Sequence, residues 1–146
     1  MTKCNESIKA VIIGDGEDRN MVQQLCLEMG LRISTPEKPS TEFVVVFTSW
    51  IHEVEHALAG VDIVAMTSLN EGTPVSLIEA QAAGKAIVST EVGGIANVVA
   101  PGITALLSES DNLEAFSKNL ITAVQSKQFR DSAFKNGWDF VKQKIS

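Results

Sequence analysis

The sequence has no tyrosine, only two histidines and two cysteines, and no apolar run approaching the ~18 residues that a membrane-spanning helix requires. Two cysteines, Cys4 and Cys26, cannot build a disulfide framework. Cys26 falls on an apolar helical face, where a free thiol behaves as a small buried hydrophobe. Histidine is too scarce for most metal sites. His52-Glu53-Val54-Glu55-His56 does have the H-E-x-x-H spacing, which on a helix places two histidines on one face beside a possible general base. No third histidine exists, and the short helix expected over 52–59 ends at Gly60 between two apolar strands. A solvated helix face is the better reading, and no metal is expected. Neither histidine has a serine or cysteine partner placed for nucleophilic catalysis. Basic residues are outnumbered 12 to 18, giving a net charge of −6, which argues against a nucleic-acid-binding surface. The start, Met1-Thr2-Lys3-Cys4-Asn5-Glu6-Ser7, lacks the apolar centre of a signal peptide, so a cytoplasmic location is expected.

What is present is an ordinary globular composition, 45% apolar and 21% charged, over 146 residues, one domain's worth of chain with a core of its own. Apolar, β-branched runs predict strands over 8–13, 43–47, 62–66, 86–89 and 104–107. Helical spacing joins Met21-Val22, Leu25-Cys26 and Met29 before Gly30. The segment over 33–40 carries Pro36 and Pro39 and reads as a loop. Phe43-Val44-Val45-Val46-Phe47 is continuously apolar, as in a strand covered on both faces. A short helix is expected over 94–99. Asp111 and Glu114 suggest a capping box opening a helix striped with Leu113, Phe116, Leu120, Ile121 and Val124. A last helix over 128–142 brings Phe134, Trp138 and Val141 to one side. Strands alternating with helices define an α/β class: a doubly wound parallel sheet of five to six strands with helices on both faces.

The chemistry concentrates in Glu71-Gly72-Thr73-Pro74-Val75-Ser76-Leu77-Ile78-Glu79-Ala80-Gln81-Ala82-Ala83-Gly84. It follows the apolar run Val61-Asp62-Ile63-Val64-Ala65-Met66. Thr73 offers a hydroxyl N-cap, Pro74 suits the first helical position, and Gly84 suits a left-handed stop. Glu71 is thereby held before the helix and Glu79 inside it, with amides and a positive dipole end between them. Ala80, Ala82 and Ala83 let this helix lie close to the sheet, and the apolar neighbours of Glu79 suggest a carboxylate needing a partner. The layout suits a ligand with hydroxyls at each end and phosphate in the middle, the order of parts in a nucleotide-sugar.

This stretch, with Lys85-Ala86-Ile87-Val88-Ser89-Thr90-Glu91-Val92-Gly93-Gly94 after it, resembles the donor-site signature of retaining glycosyltransferases of the two-domain GT-B fold, the group 1 type. Ile13-Gly14-Asp15-Gly16 and Gly102-Ile103-Thr104-Ala105-Leu106-Leu107 extend the likeness, which covers about Lys9 to Gln143. E-x7-E alone is a weak pattern; set between strand, Gly-Thr-Pro, strand and Gly-Gly it is specific. The resemblance implies a Rossmann-like, nucleotide-sugar-binding C-terminal domain over 1–146. It implies sugar contacts at Glu71 and Gly72, pyrophosphate at the amides of Thr73, Val75 and Ser76, and ribose at Glu79. The donor would be a UDP-, GDP- or ADP-sugar, with neither cofactor nor metal. Base contacts would fall at Trp50, Ile51, Gly14 and Gly16. A plain turn explains Gly14-Asp15-Gly16 as well, since Asn20 stands where the dinucleotide fingerprint wants a small residue. A core or interface tryptophan explains Trp50 as well, and a tight turn Gly93-Gly94.

Against the family pattern, an N-terminal acceptor domain and the first strand of the C-terminal domain, with its phosphate-binding Arg and Lys, have no counterpart here. The resemblance thus implies a piece shortened at both ends that is a donor half-site, inactive alone, in an enzyme moving a sugar to a hydroxyl acceptor. Two readings stand beside it: a non-catalytic binding or interaction module of this fold, and a sugar-nucleotide epimerase-like domain, for which no carboxylate and histidine pair stands out.

Overall fold

The computed structural model describes residues 7–145, so Cys4 lies outside the described residues. The chain divides into two compact units, one up to Val54 and one from Glu55 onward.

In the first unit, three short strands, β1 (Ala10–Ile12), β2 (Ile33–Ser34) and β3 (Val45–Phe47), form a parallel sheet in the order β1-β3-β2. β3 sits between the others, with Val45 beside both Ala10 and Ile33. Helix α1 (Arg19–Glu28) buries Cys26 against Val45 and Phe47, with Val22, Leu31 and Ile33 packed around them. Its apolar face is narrower than the sequence suggests, because Met21 and Leu25 are exposed. Gly30 stops it at φ 75°, a left-handed turn that glycine takes without steric cost. The expected loop over 33–40 begins later: Ile33 and Ser34 still pair with β3, and Pro36 and Pro39 follow only in the turn beyond. β3 also alternates, Val45 and Phe47 buried and Val46 half-buried, instead of being covered equally on both sides. Arg19, one turn past the Gly14–Gly16 loop, lies 3.7 Å from Asp15 and 3.2 Å from Glu37, tying that loop to the Pro36 turn.

The second unit carries α2 (Val54–Ala59), β4 (Ile63–Met66), α3 (Val75–Ala82), β5 (Ala86–Thr90), α4 (Ile95–Val98), β6 (Ala105–Ser108), α5 (Leu113–Gln125) and α6 (Lys127–Ile145). Its parallel sheet runs β4-β5-β6. All five residues of β5 are buried. Ile87 joins Leu77, Ala80, Ile95 and Val99 on one face, while its neighbour Val88 joins Phe116 and Ala123 on the other. Since successive strand residues point to opposite faces, α3 and α4 cover one side of the sheet and α5 the other. Among the described residues, six parallel strands with flanking helices make the expected Rossmann-like α/β fold, here distributed as two three-stranded sheets.

Four local expectations change. The N-cap of α5 is Asn112, whose side chain accepts from the Ala115 amide at 2.9 Å, so Asp111 and Glu114 do not form a capping box. In α6 the packed positions are Ala133 and Gly137, while Phe134 and Trp138 are exposed. A Cβ at Gly137 would overlap the Gln81 carbonyl oxygen, so α6 meets α3 backbone to backbone. Of Ala80, Ala82 and the C-cap residue Ala83, only Ala80 is fully buried. Finally, His52 precedes α2, so His52 and His56 share no helical face and the zinc-peptidase arrangement does not form. No group of three potential metal ligands occurs among the described residues.

Candidate functional site

The segment between β4 and α3 carries the site. Helix α3 begins one residue later than Thr73 and Pro74 suggest: Pro74 is the N-cap, at φ −77° and ψ 91°, and no side chain caps the helix. Thr73 is exposed, and its hydroxyl makes no cap. A proline in this position cannot cap through its side chain, but its carbonyl accepts from Leu77 at 3.0 Å and Ile78 at 3.3 Å. The amides of Val75 and Ser76 thus open the helix with no turn before them to supply an acceptor. Both residues are exposed. Glu79, fifth in α3, lies about 6 Å along the axis from Val75. It too is exposed, so solvent hydrates a carboxylate whose sequence neighbours suggested a partner.

Glu71 is different. It is half-buried, and its Oε1 accepts from Ser68 Oγ at 2.6 Å, the short distance of a charge-assisted bond. The Ser68 carbonyl in turn accepts from Thr90 Oγ1 at 2.6 Å. Gly93 and Gly94 close over the Glu71–Gly72 backbone: the Gly94 amide donates to the carbonyls of Glu71 at 3.3 Å and Gly72 at 3.1 Å. A Cβ at Gly93 would overlap the Glu71 carbonyl oxygen, and one at Gly94 the Gly72 carbonyl oxygen. The glycine pair is required by this close approach. No local pattern assigns a role to Ser68 or Thr90, although Ser68-Leu69-Asn70-Glu71 has the S-x-x-E spacing that keeps a serine and a glutamate side chain close.

The second unit therefore brings together Glu71, Gly72, the start of α3 and the Gly93-Gly94 turn. Gly14, Gly16, Trp50 and Ile51 belong to the first unit. Gly14, at φ 114°, donates its amide to the Ser49 carbonyl at 3.3 Å, and Gly16 donates to Asp15 Oδ1 at 2.9 Å. This is a satisfied turn. Trp50 is 73% exposed, which rules out a core role.

The fold matches C-terminal domains of GT-B glycosyltransferases. One is the C-terminal domain of a glycosyl transferase group 1 family protein, LpcC, from Francisella tularensis. It has a TM-score of 0.75 and 22% identity, over 94% of this chain and 71% of that one. HepE from Anabaena, solved in complex with UDP-glucose, also matches, with a TM-score of 0.75 and 23% identity over 98% of this chain and 38% of that one. The family described as glycosyl transferases group 1 matches residues 2–126, and the chain belongs to it. Among its relatives, D-inositol 3-phosphate glycosyltransferase of Corynebacterium glutamicum is 32% identical over 112 residues, 77% of this chain. That alignment takes in 24% of the relative, so the chain spans about a quarter of its length. No helix among the described residues is long and apolar enough to cross a membrane.

Proposed function

We propose that this chain supplies the donor half of the site of a retaining glycosyltransferase acting on a nucleotide-sugar. The observation that carries the reading is the arrangement around α3: amides without a side-chain cap at its start, with Glu71 before them in the chain and the exposed Glu79 about a turn inside the helix. The amides of Val75 and Ser76, with that of Thr73, take the pyrophosphate, where the helix dipole favours negative charge. Glu79 accepts from the ribose hydroxyls, and Glu71, with Gly72 beside it, takes hydroxyls of the sugar. An ionised carboxylate has acceptors only, which suits a diol. HepE, of the same fold, was solved with UDP-glucose, which favours this ligand class.

In the reaction, the bond between the sugar's anomeric carbon and the diphosphate oxygen breaks as the acceptor hydroxyl oxygen bonds to that carbon, and the hydroxyl proton passes to the departing phosphate. The sugar is a hexose, the diphosphate leaves as the nucleotide, and no bound metal takes part. A helix start contributes only about half a charge, too little to offset the negative charge that develops on a leaving group already doubly negative. These 146 residues alone therefore bind the donor without transferring the sugar, and the activity belongs with an acceptor-binding domain at a cytoplasmic site. Transfer from UDP-glucose by the chain alone would overturn that part of the reading.

The test is an NMR titration of the chain with UDP, GDP, ADP and their sugar conjugates. Shifts confined to the amides of residues 71–79 and lost in Glu79→Ala are the expected result, and the strongest nucleotide names the base. No shift at millimolar ligand overturns the reading in favour of a module that binds no nucleotide.

A further inference from the structure

Resting on that reading of Glu71, we propose that Ser68 and Thr90 are positioning residues that present the Glu71 carboxylate to the sugar. The chain of bonds starts in the core. Thr90 ends β5 and is 3% exposed, so its hydroxyl has a fixed place in the sheet. It holds the Ser68 carbonyl at 2.6 Å, and Ser68 Oγ holds Glu71 Oε1 at 2.6 Å. The Gly94 amide holds the Glu71 carbonyl from the other side. A glutamate side chain alone samples several rotamers, and ordering it on binding costs free energy that this arrangement removes beforehand. With Ser68 bonded to Oε1, the carboxylate is held in one orientation and its Oε2 can accept from a ligand hydroxyl. The hydroxyls of Ser68 and Thr90 thus select for the glycosyl part of the donor and leave the nucleotide part untouched.

The experiment compares the affinities of the chain for UDP and UDP-glucose. Ser68→Ala is expected to weaken UDP-glucose by about tenfold, the worth of one charge-assisted hydrogen bond, and Thr90→Val, which loses a bond to a neutral carbonyl, by about fivefold, with UDP changed less than about twofold. Ser68→Thr and Thr90→Ser, which keep the hydroxyls, are expected to restore the preference. General damage to the fold would weaken both ligands together and would overturn the proposal. A preference lost in Glu71→Ala but kept in Ser68→Ala overturns it while leaving the Glu71 assignment intact. A preference unaffected by Glu71→Ala overturns that assignment itself. A readout without ligand decides the matter if the chain binds neither nucleotide: three-bond couplings at Glu71 should report one side-chain rotamer in the native chain and averaging in Ser68→Ala. Averaging in the native chain overturns the proposal.

Discussion

Gly93 and Glu71 lie backbone against backbone, so closely that a single methyl group on Gly93 would overlap the Glu71 carbonyl oxygen. Gly93 also takes φ 54°, a conformation that costs other residues free energy. Two penalties therefore meet at one position. Gly93→Ala should lower stability by at least ~2 kcal/mol, combining strain with the steric overlap. Gly102, at φ 78° with nothing within 4 Å of its Cβ position, isolates the conformational part. Gly102→Ala should cost only about 1 kcal/mol. Urea midpoints of the two variants check the difference, and equal losses would contradict the close approach.

A second prediction concerns Gln81, which is fully buried in α3. Its Nε2 donates to the Val98 carbonyl at 2.5 Å, and its Oε1 accepts from the Thr104 hydroxyl. Thr104 also accepts from the Ala100 amide at 3.0 Å, so one small network joins α3, α4 and the entry to β6. Thr104→Val leaves a buried amide oxygen without its donor and should cost ~1–3 kcal/mol. Adding Gln81→Leu should cost less than the sum of the single changes, because the partners have gone together. Additive losses in a double-mutant cycle would show that the two side chains act independently.

The cap of α5 separates two readings of one stretch. Asn112 accepts from the Ala115 amide, and neither Asp111 nor Glu114 caps the helix. Asn112→Ala should cost about 1 kcal/mol. Asp111→Ala should stay within ~0.5 kcal/mol of the parent, as surface changes usually do. Thermal unfolding of both variants checks the assignment.

Glu37 supplies a pH dependence. A hydrogen bond from its own backbone amide holds its carboxyl below the usual value of 4.5 against the opposing effect of desolvation, with Thr35 and Arg19 adding smaller contributions. A carboxyl depressed in the folded state stabilises it above the unfolded value, and this contribution is lost as pH falls through the folded value. An NMR titration of the Glu37 carboxyl should therefore give a midpoint below 4.5. Arg19→Gln should recover only a minor part of the shift. Full recovery would make the guanidinium the main cause.

These cases show what the sequence could and could not reveal. The order of strands and helices and the Glu71–Glu79 stretch were legible because apolar runs, Gly-Thr-Pro and Gly-Gly are local signals. Helix starts slipped by a residue at Asn112 and Pro74, since several capping residues in a row leave the choice to the packing. Phe134 and Trp138 looked like the packing face of α6, yet Ala133 and Gly137 hold it, because close approach to Gln81 favours the smallest residues. The bonds from Thr90 to Ser68 span 22 residues, and no periodicity encodes such a pair.

The two strand orders also set when each sheet can exist. In β4-β5-β6 every strand finds its neighbour already made: Ile63 pairs with Ala86, and Ile87 with Ala105. In β1-β3-β2 the middle strand comes last, and Ala10 must wait for Val45 across the whole of α1 and β2. Nearby pairings form faster than distant ones. The sheet of β4, β5 and β6 therefore grows by successive addition, whereas in the other the local pairing of Ile33 with Val45 comes first and the distant pairing of Ala10 with Val45 closes the sheet.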